Sequence, residues 1–253
     1  MIFTPSKKTK MMPGKFDTLG LITARGGSKR LPGKNVKNLL GKPLIAWTAE
    51  AALKSRFLDH VILSTDDRRI AAVARKWGVG VPFMRPAALA KDGTPHMDVL
   101  IHVLRWLEEH EKRLPEYIVL LQPTSPLRTA DDIDAAIEIA IKNNADAVVS
   151  VFEIQKNTTL VWQLTGKGML RKIKYYQDRP VAACFAPNGA IYVIRSSVLK
   201  EKKTLYPRRS FPYIMPASRS LDIDTPWDFH MAELILKNKM PSPTNRGITV
   251  VRR

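Results

Sequence analysis

The sequence predicts an α/β fold, with a doubly wound, mostly parallel sheet and an inserted β-arm. Two observations favour this class. Short apolar runs alternate along the chain with segments of helical periodicity, which is the pattern that βαβ units produce. Between residues 153 and 186 the alternation stops, and two strand-like pieces there flank Thr165-Gly166-Lys167-Gly168, a sequence typical of a hairpin turn.

The elements follow in order from the apolar run at 19–23, which predicts a buried first strand. Pro43 suits the first turn of a helix, and Gly78 suits a helix end. Asp66 and Asp67 follow the second strand and are suited to cap the next helix. The further predicted strands are 61–65, 79–83, 117–121, 147–152 and 189–194, and the predicted helices are about 44–56, 68–77, 97–111, 131–142, a segment from 196 and 226–236.

The length of 253 residues suits one domain with an added subdomain. We expect a disordered leader at 1–15, a domain at 16–237 and a basic tail at 238–253. The segment 153–186 lies within the domain and is too small to fold alone. We therefore expect this arm to pack against a second subunit, which predicts a homodimer.

The net charge of +18 invites comparison with nucleic-acid-binding proteins. Its distribution argues against that class, because residues 1–15, 200–209 and 237–253 together carry +13 of it. Charge in tails and one loop is typical of solvated segments, not of a basic helix face with interleaved aromatic residues. The nucleic-acid alternative predicts salt-dependent duplex binding by residues 16–237 alone, and we expect none.

The composition indicates a cytoplasmic protein without a membrane anchor. No apolar run reaches 18 residues, and residues 1–15 lack the apolar stretch of a signal peptide. The single cysteine, Cys184, excludes an intramolecular disulfide, fits a reducing compartment and is expected in the core or an interface. The five histidines show no metal-binding spacing, and we expect His102 and His110 to be structural.

A glycine-rich basic loop follows the first predicted strand. Over residues 24–35 it carries Arg25, Lys29, Arg30 and Lys34, with glycines at 26, 27 and 33. Glycines let backbone N–H groups approach an anion closely, and the cations neutralise its charge. The spacing matches neither G-x-x-x-x-G-K-[ST] nor G-x-G-x-x-G. The residues alone leave two interpretations open, a triphosphate-binding loop and an ordinary basic surface loop.

Other polar segments also follow predicted strands, at 64–66, 122–128 and 188. Ligands bind at the carboxyl ends of the strands in open parallel sheets, so this convergence indicates a site. Asp222 and Asp224 alternate at period two, which places both carboxylates on one side of an extended segment, where they could hold Mg²⁺ together with substrate phosphates. The alternative is that Asp224 or Thr225 caps the helix that begins at 226.

The stretch Ala24-Arg25-Gly26-Gly27-Ser28-Lys29-Arg30-Leu31-Pro32-Gly33-Lys34-Asn35 resembles the nucleotide-binding signature of the CMP-sialic acid synthetases, or acylneuraminate cytidylyltransferases. Matches to other family motifs follow in order: Arg-Pro-x-x-Leu-Ala-x-Asp at 85–92, Pro-Asn-Gly at 187–189 and Asp-Ile-Asp-Thr at 222–225. The resemblance implies a Rossmann-like nucleotidyltransferase fold and a dimer. It also implies Mg²⁺-dependent transfer of the cytidylyl group of CTP to a nonulosonic (sialic-type) acid.

The matching motifs also imply a role for individual residues. The residues implied to bind the nucleotide are Arg25, Gly26, Ser28, Lys29, Lys34, Asn35 and Arg85. Those implied at the sugar are Gln122, Asn188 and Gly189, and those implied at the metal are Asp222 and Asp224. Arg25, Lys34, Asp222 and Asp224 are the implied catalytic residues. No base for the sugar C2 hydroxyl is identifiable from the sequence.

One departure from the family pattern concerns the sugar. Many members carry an arginine directly before Pro-Asn-Gly and another upstream, whereas this chain has Ala186 at the first place, and Arg179 is a possible substitute. The nucleotide motifs are unaffected. The departure therefore puts in question only which sugar acid accepts the cytidylyl group. Legionaminate, pseudaminate and 3-deoxy-octulosonate are the alternative acceptors. A catalytically inactive sugar-nucleotide-binding protein is another alternative, against which the intact Asp-Ile-Asp-Thr motif argues.

Overall fold

The structure is a computed structural model that describes residues 17–154, 162–164, 170–172 and 184–238. Its strands are β1 (Thr18–Thr23), β2 (Asn38–Leu39), β3 (Lys42–Pro43), β4 (His60–Ser64), β5 (Tyr117–Leu121), β6 (Ala147–Ile154), β7 (Trp162–Leu164), β8 (Leu170–Lys172), β9 (Cys184–Arg195) and β10 (Ser210–Ile214). Its α-helices are α1 (Leu44–Lys54), α2 (Arg68–Lys76), α3 (His96–His110), α4 (Ala130–Lys142), α5 (Ser196–Lys202) and α6 (Pro226–Asn238).

Six strands form the central sheet in the order β10-β6-β9-β5-β1-β4. The pairs β10–β6, β5–β1 and β1–β4 are parallel, and β9 runs antiparallel to both of its neighbours. The start of β9 therefore lies at the same edge of the sheet as the carboxyl ends of the other five strands. The predicted α/β class with a mostly parallel sheet is confirmed.

Helices cover both faces of the sheet, which explains why the strands read as continuous apolar runs. Alternate residues of β5 enter two different clusters: Tyr117, Val119 and Leu121 pack with residues of α1, α2 and α4. Ile118 and Leu120 pack on the other face with residues of α3 and α5. Within the described ranges, no helix combines the length and apolarity that a membrane crossing requires.

One predicted strand is corrected, and the structure contains one edge strand that the sequence analysis does not predict. The predicted strand at 79–83 is reduced to an isolated bridge between Ile62 and Gly80, since Pro82 has no N–H to continue the ladder. The edge strand β10 was not predicted, because Pro212 argues against a strand interior. An edge strand tolerates it, and Pro212 pairs in register with Val149 of β6.

The described part of the predicted arm begins as a continuation of the central sheet. Beyond the sheet, β6 and β9 still pair, with Phe152 opposite Ala186 and Ile154 opposite Cys184. β7 and β8 pair antiparallel, as expected for the two strands of the predicted hairpin. The rest of the arm (155–161, 165–169 and 173–183, with Arg179), the leader and the tail from 239 lie outside the described residues. Helix α6 includes Asn238, one residue beyond the predicted domain boundary.

Candidate active site

A cavity of about 820 Å³ opens at the carboxyl edge of the sheet. Its walls come from the loop after β1, the segment between β4 and α3, the first turn of α3, the residues after β5 and the residues before α6. Nine of the twelve predicted site residues line it: Arg25, Ser28, Lys29, Lys34, Asn35, Arg85, Gln122, Asp222 and Asp224. Gly26, Asn188 and Gly189 are not among its lining residues.

The glycine-rich loop is held in shape by its neighbours. The Gly26 N–H donates to Asp66 Oδ1 at 3.0 Å, and Asn35 Nδ2 donates to the Arg25 carbonyl at 3.0 Å. A Cβ at Gly26 would lie 2.8 Å from Asp67 Oδ2, so a side chain there would displace this carboxylate. Only Asp67 caps α2, by accepting from the Arg69 and Ile70 N–H groups. The prediction that Asp66 also serves as a cap is wrong, because its carboxylate holds the loop.

The cations of the loop are paired with two carboxylates at the cavity wall. Asp92 accepts from Arg25 at 3.0 Å and from Lys29 at 2.5 Å, and these cations lower its pKa. Asp224 accepts from Arg30 at 2.8 Å and from Lys34 at 3.1 Å. The pairs of Arg25, Lys29 and Arg30 are exposed and of modest energy, whereas Lys34 is largely buried, so an incoming polyanion could replace a carboxylate at little cost at the three exposed pairs.

Arg85 is a buried cation within this wall. Its Nε donates to Ser64 Oγ at 3.0 Å and its Nη2 to the Ser64 carbonyl at 2.5 Å, which fixes the guanidinium at the end of β4. Burial lowers the pKa of Arg85 to about 10, so the group is still charged at neutral pH. Both its contacts are to neutral groups, which leaves this charge available to a ligand.

Asp222 and Asp224 face the cavity because the residue between them is anchored in the core. Ile223 is fully buried in a cluster with Leu44 and Phe229, and its N–H donates to the Thr124 carbonyl at 2.8 Å. The two sequence interpretations of this segment turn out to be compatible. Thr225 caps α6 through reciprocal hydrogen bonds with Asp228, while both preceding carboxylates line the cavity.

The carboxylate pair fits a divalent cation that is shared with a substrate. In the described ranges no group of three or more His, Cys, Asp or Glu side chains is placed to hold a metal ion by itself. Mg²⁺ is commonly held by one or two carboxylates, with substrate phosphates completing its shell. Enclosure by the wall and the charge of Asp224 raise the pKa of Asp222, and a bound cation would offset this repulsion.

A second part of the cavity wall, here called the Gln122 end, is built around the residue that follows β5. Gly189 has φ +74°, and a Cβ there would lie 2.7 Å from Gln122 Oε1. Arg128, fully buried in this region, donates to the carbonyls of Gln122 at 3.2 Å and Ala190 at 2.8 Å and to Thr48 Oγ1 at 2.6 Å. Arg128 thus holds the Gln122 backbone, and the absence of a side chain at Gly189 leaves room for the Gln122 amide.

Asn188 is buried next to this end. Its Oδ1 accepts from Ser150 Oγ at 2.6 Å and the Ala190 N–H at 3.1 Å, and its Nδ2 donates to Ser220 Oγ at 3.0 Å. The side chain therefore links β6 and β9 to the residues that precede Asp222. Its predicted contact with a sugar stays a prediction, which this placement does not favour.

The structure adds His96 to the predicted set. This first residue of α3 lines the cavity, and its Nε2 lies 3.5 Å from Gln122 Nε2. Burial, Arg85 and Arg25 lower the pKa of His96, so its ring is neutral at neutral pH. The only clue to His96 in the sequence is its position, four residues after the Arg-Pro-x-x-Leu-Ala-x-Asp segment and at the start of a predicted helix. His102 and His110 are not among the residues that line the cavity.

Fold and cavity together define an α/β protein of the nucleotidyltransferase class, with a cationic loop and a carboxylate pair at one edge of the sheet. Comparison with known proteins narrows this class. The family model described as cytidylyltransferase matches residues 19–240, and the chain belongs to this family. This match confirms the predicted family and the prediction that the chain is a cytidylyltransferase.

Three curated relatives of this chain are named for three different sugar acids. The chain is 37% identical over 224 residues to a CMP-N,N'-diacetyllegionaminic acid synthase of Legionella pneumophila, covering 87% of this chain and 96% of the relative. It is 34% identical over 215 residues to an N-acylneuraminate cytidylyltransferase of Streptococcus agalactiae, covering 83% of this chain but 51% of that one. It is 30% identical over 223 residues to a pseudaminic acid cytidylyltransferase of Campylobacter jejuni, covering 87% and 96%.

Among solved structures, a CMP:2-keto-3-deoxy-manno-octonic acid synthetase complexed with CTP aligns with a TM-score of 0.66. The alignment covers 88% of this chain and 100% of that chain at 20% sequence identity. At this identity the likeness supports the fold.

Proposed function

We propose that this cytidylyltransferase transfers the cytidylyl group of CTP to the C2 hydroxyl of a nonulosonic acid and releases pyrophosphate. The observation that carries the proposal is one cavity in which cations for a triphosphate, a carboxylate pair and Gln122 line the same wall. In the reaction the hydroxyl oxygen bonds to the α-phosphorus, and the bond from that phosphorus to the bridging oxygen breaks. Positioning and charge neutralisation supply most of the catalysis in such transfers.

The nucleotide half of the reaction belongs to the glycine-rich loop. Arg25, Lys29 and Lys34 neutralise the triphosphate, once it has replaced Asp92 and Asp224 as their partner. Arg85 supplies a buried, pre-positioned charge on the nucleoside side, as the family resemblance implies. Asn35 is tied to the Arg25 carbonyl, which keeps the loop closed around the ligand.

Asp222 and Asp224 are the residues that would hold Mg²⁺. When bound, such an ion neutralises phosphate oxygens and polarises the attacked phosphorus. Lys34 already contacts Asp224 Oδ1 and the Ile223 carbonyl, so it keeps the carboxylate segment close to the loop.

The acceptor is the finer part of the proposal, and a legionaminate-type acid is the first to test. Ala186 stands where many family members have an arginine, and the described structure places it in the β6–β9 ribbon opposite Phe152. The synthase from Legionella pneumophila is named for diacetyllegionaminate and matches along 96% of its length. N-acetylneuraminate is the second acceptor to test, and pseudaminate and 3-deoxy-octulosonate are the remaining alternatives.

The test is pyrophosphate release from CTP and Mg²⁺ with these four acids, measured beside CTP binding by calorimetry. We expect fastest release with one nine-carbon acid, and none without an acid. Release with 3-deoxy-octulosonate alone would replace the proposed acceptor class. Silence with all four, from a protein that binds CTP, would contradict the proposal.

The proposal also assigns a role to the arm (residues 153–186), as the surface that contacts a second subunit. The β6–β9 ribbon continues past the central sheet, and Phe185 on it is exposed. We propose that the arm packs on a second copy of the chain. Sedimentation over a dilution series should show a dimer at micromolar concentration, and a monomer throughout would contradict this.

A further inference from the structure

We propose that His96 accepts the proton of the attacking hydroxyl in this transfer, and this inference rests on the proposed function. As the O–P bond forms, the hydroxyl proton passes to a ring nitrogen of His96. The electron pair of the breaking bond leaves with pyrophosphate, so atoms and charge balance without another reactant.

The position of the ring carries the inference. His96 lies at the first turn of α3, and its side chain is open to the cavity, where a ligand can reach it. Its Nε2 lies 3.5 Å from Gln122 Nε2, at the outer limit of a hydrogen bond. A hydroxyl that binds to the Gln122 amide would therefore lie within reach of this nitrogen as well.

The surroundings hold the imidazole in the form that can accept a proton. Arg85 and Arg25 are the charges that act on the ring, and both disfavour the imidazolium. Partial removal of water by the cavity wall is the largest cause of the lowered pKa of His96, and a bound substrate would strengthen it because the side chain is otherwise open to the cavity. The Gln122 amide, which faces the ring from the end of β5, carries no charge.

Other polar groups in the cavity are less suited to this step. Asp92 contacts Arg25 and Lys29, the proposed triphosphate ligands, rather than Gln122. Asp222 and Asp224 are the proposed metal ligands, and the guanidinium of Arg85 has no lone pair to offer. Of the side chains that line the cavity, His96 is the one histidine.

The test compares His96→Gln with the unchanged protein at saturating CTP and acid. Glutamine retains hydrogen bonding but takes up no proton near neutral pH. In the unchanged protein we expect kcat to fall as the pH drops through the lowered pKa of His96, because the base becomes protonated. His96→Gln should lower kcat about 100-fold and abolish this acidic limb, within the range that proton transfer contributes. CTP affinity should change less than about twofold, since no predicted nucleotide contact is removed.

Two further variants make the result specific. His110→Gln, on the exposed end of the same helix, should leave the pH profile unchanged. His96→Ala should regain part of its activity in added imidazole. A variant His96→Gln that keeps kcat within about twofold and retains the acidic limb would overturn the inference, as would a rise in the KM for the acid alone. If the unchanged protein releases no pyrophosphate with any acid, the proposed function fails instead.

Discussion

The two ends of the cavity are held together by different physical means. At the end formed by the glycine-rich loop, cations and carboxylates are paired near the surface, and the Lys29 side chain is 83% exposed. At the Gln122 end the contacts are close backbone fits and buried hydrogen bonds, such as those of Gly189 and Asn188. Exposed pairs can exchange one partner for a substrate oxygen, whereas packed groups fix atoms in place. We therefore expect changes to the loop cations and to Asp92 to alter CTP affinity, and changes at the Gln122 end to alter the binding of the acid.

Asp224→Ala should give the largest effect. Loss of one of the two carboxylates proposed to hold Mg²⁺ should reduce turnover more than 100-fold, since a catalytic cation contributes several kcal/mol. The melting temperature should change little, because the ion pairs of Asp224 are partly exposed. Pyrophosphate release measures turnover and thermal melting measures stability. Asp131→Ala is the control and should leave both unchanged. Undiminished turnover would contradict the metal assignment.

Lys34→Ala should produce the next largest change, in CTP affinity. The side chain is only 11% exposed and reaches both the Ile223 carbonyl and Asp224. A charge-assisted contact is worth about 1.5–3 kcal/mol, which corresponds to a loss of affinity of about 10- to 150-fold. Calorimetric titration with CTP measures it, and Lys76→Ala, an exposed lysine at the end of α2, should bind as before. An unchanged affinity would show that the loop does not hold the triphosphate.

Gly189→Ala tests the packed end. The positive φ disfavours any other residue by about 1–2 kcal/mol, and the new Cβ would push Gln122 Oε1 away. We expect the KM for the acid to rise about tenfold while the KM for CTP is unchanged. Gly93→Ala is the matched control, because Gly93 has an open environment and no positive φ. Equal increases in both KM values would remove the distinction between the two ends.

A contrast between buried and exposed segments also explains which strands the sequence could predict. Five of the six strands of the central sheet are predicted because burial leaves a continuous apolar signal, as in β5. β10 alternates between exposed and partly buried residues around Pro212, so its pattern is weak until β6 is present to pair with it. The short β2–β3 hairpin offers no comparable run.

In the site, the motifs predicted which residues gather but not how they are paired. Asp92 is predicted only as part of a matching segment, and its bonds to Arg25 and Lys29 depend on how the segment between α2 and α3 folds over the loop after β1. His96 carries no motif, and its proximity to Gln122 arises only from the docking of α3 beside β5. Such contacts are set by the tertiary structure, so spacing along the chain does not reveal them.

Asp92→Asn should give the smallest effect, and with the opposite sign. Asp92 occupies the same cations that a phosphate group would bind, so removing its charge should tighten CTP binding. Exposed ion pairs contribute about 0.2–1 kcal/mol, which limits the gain to about fivefold. Titrations at low and high salt measure it, with Asp98→Asn as the control, and the gain should shrink as salt screens the pairs. A weaker affinity would mean that Asp92 orders the loop for the nucleotide, and this end of the cavity would then depend on fixed geometry as the Gln122 end does.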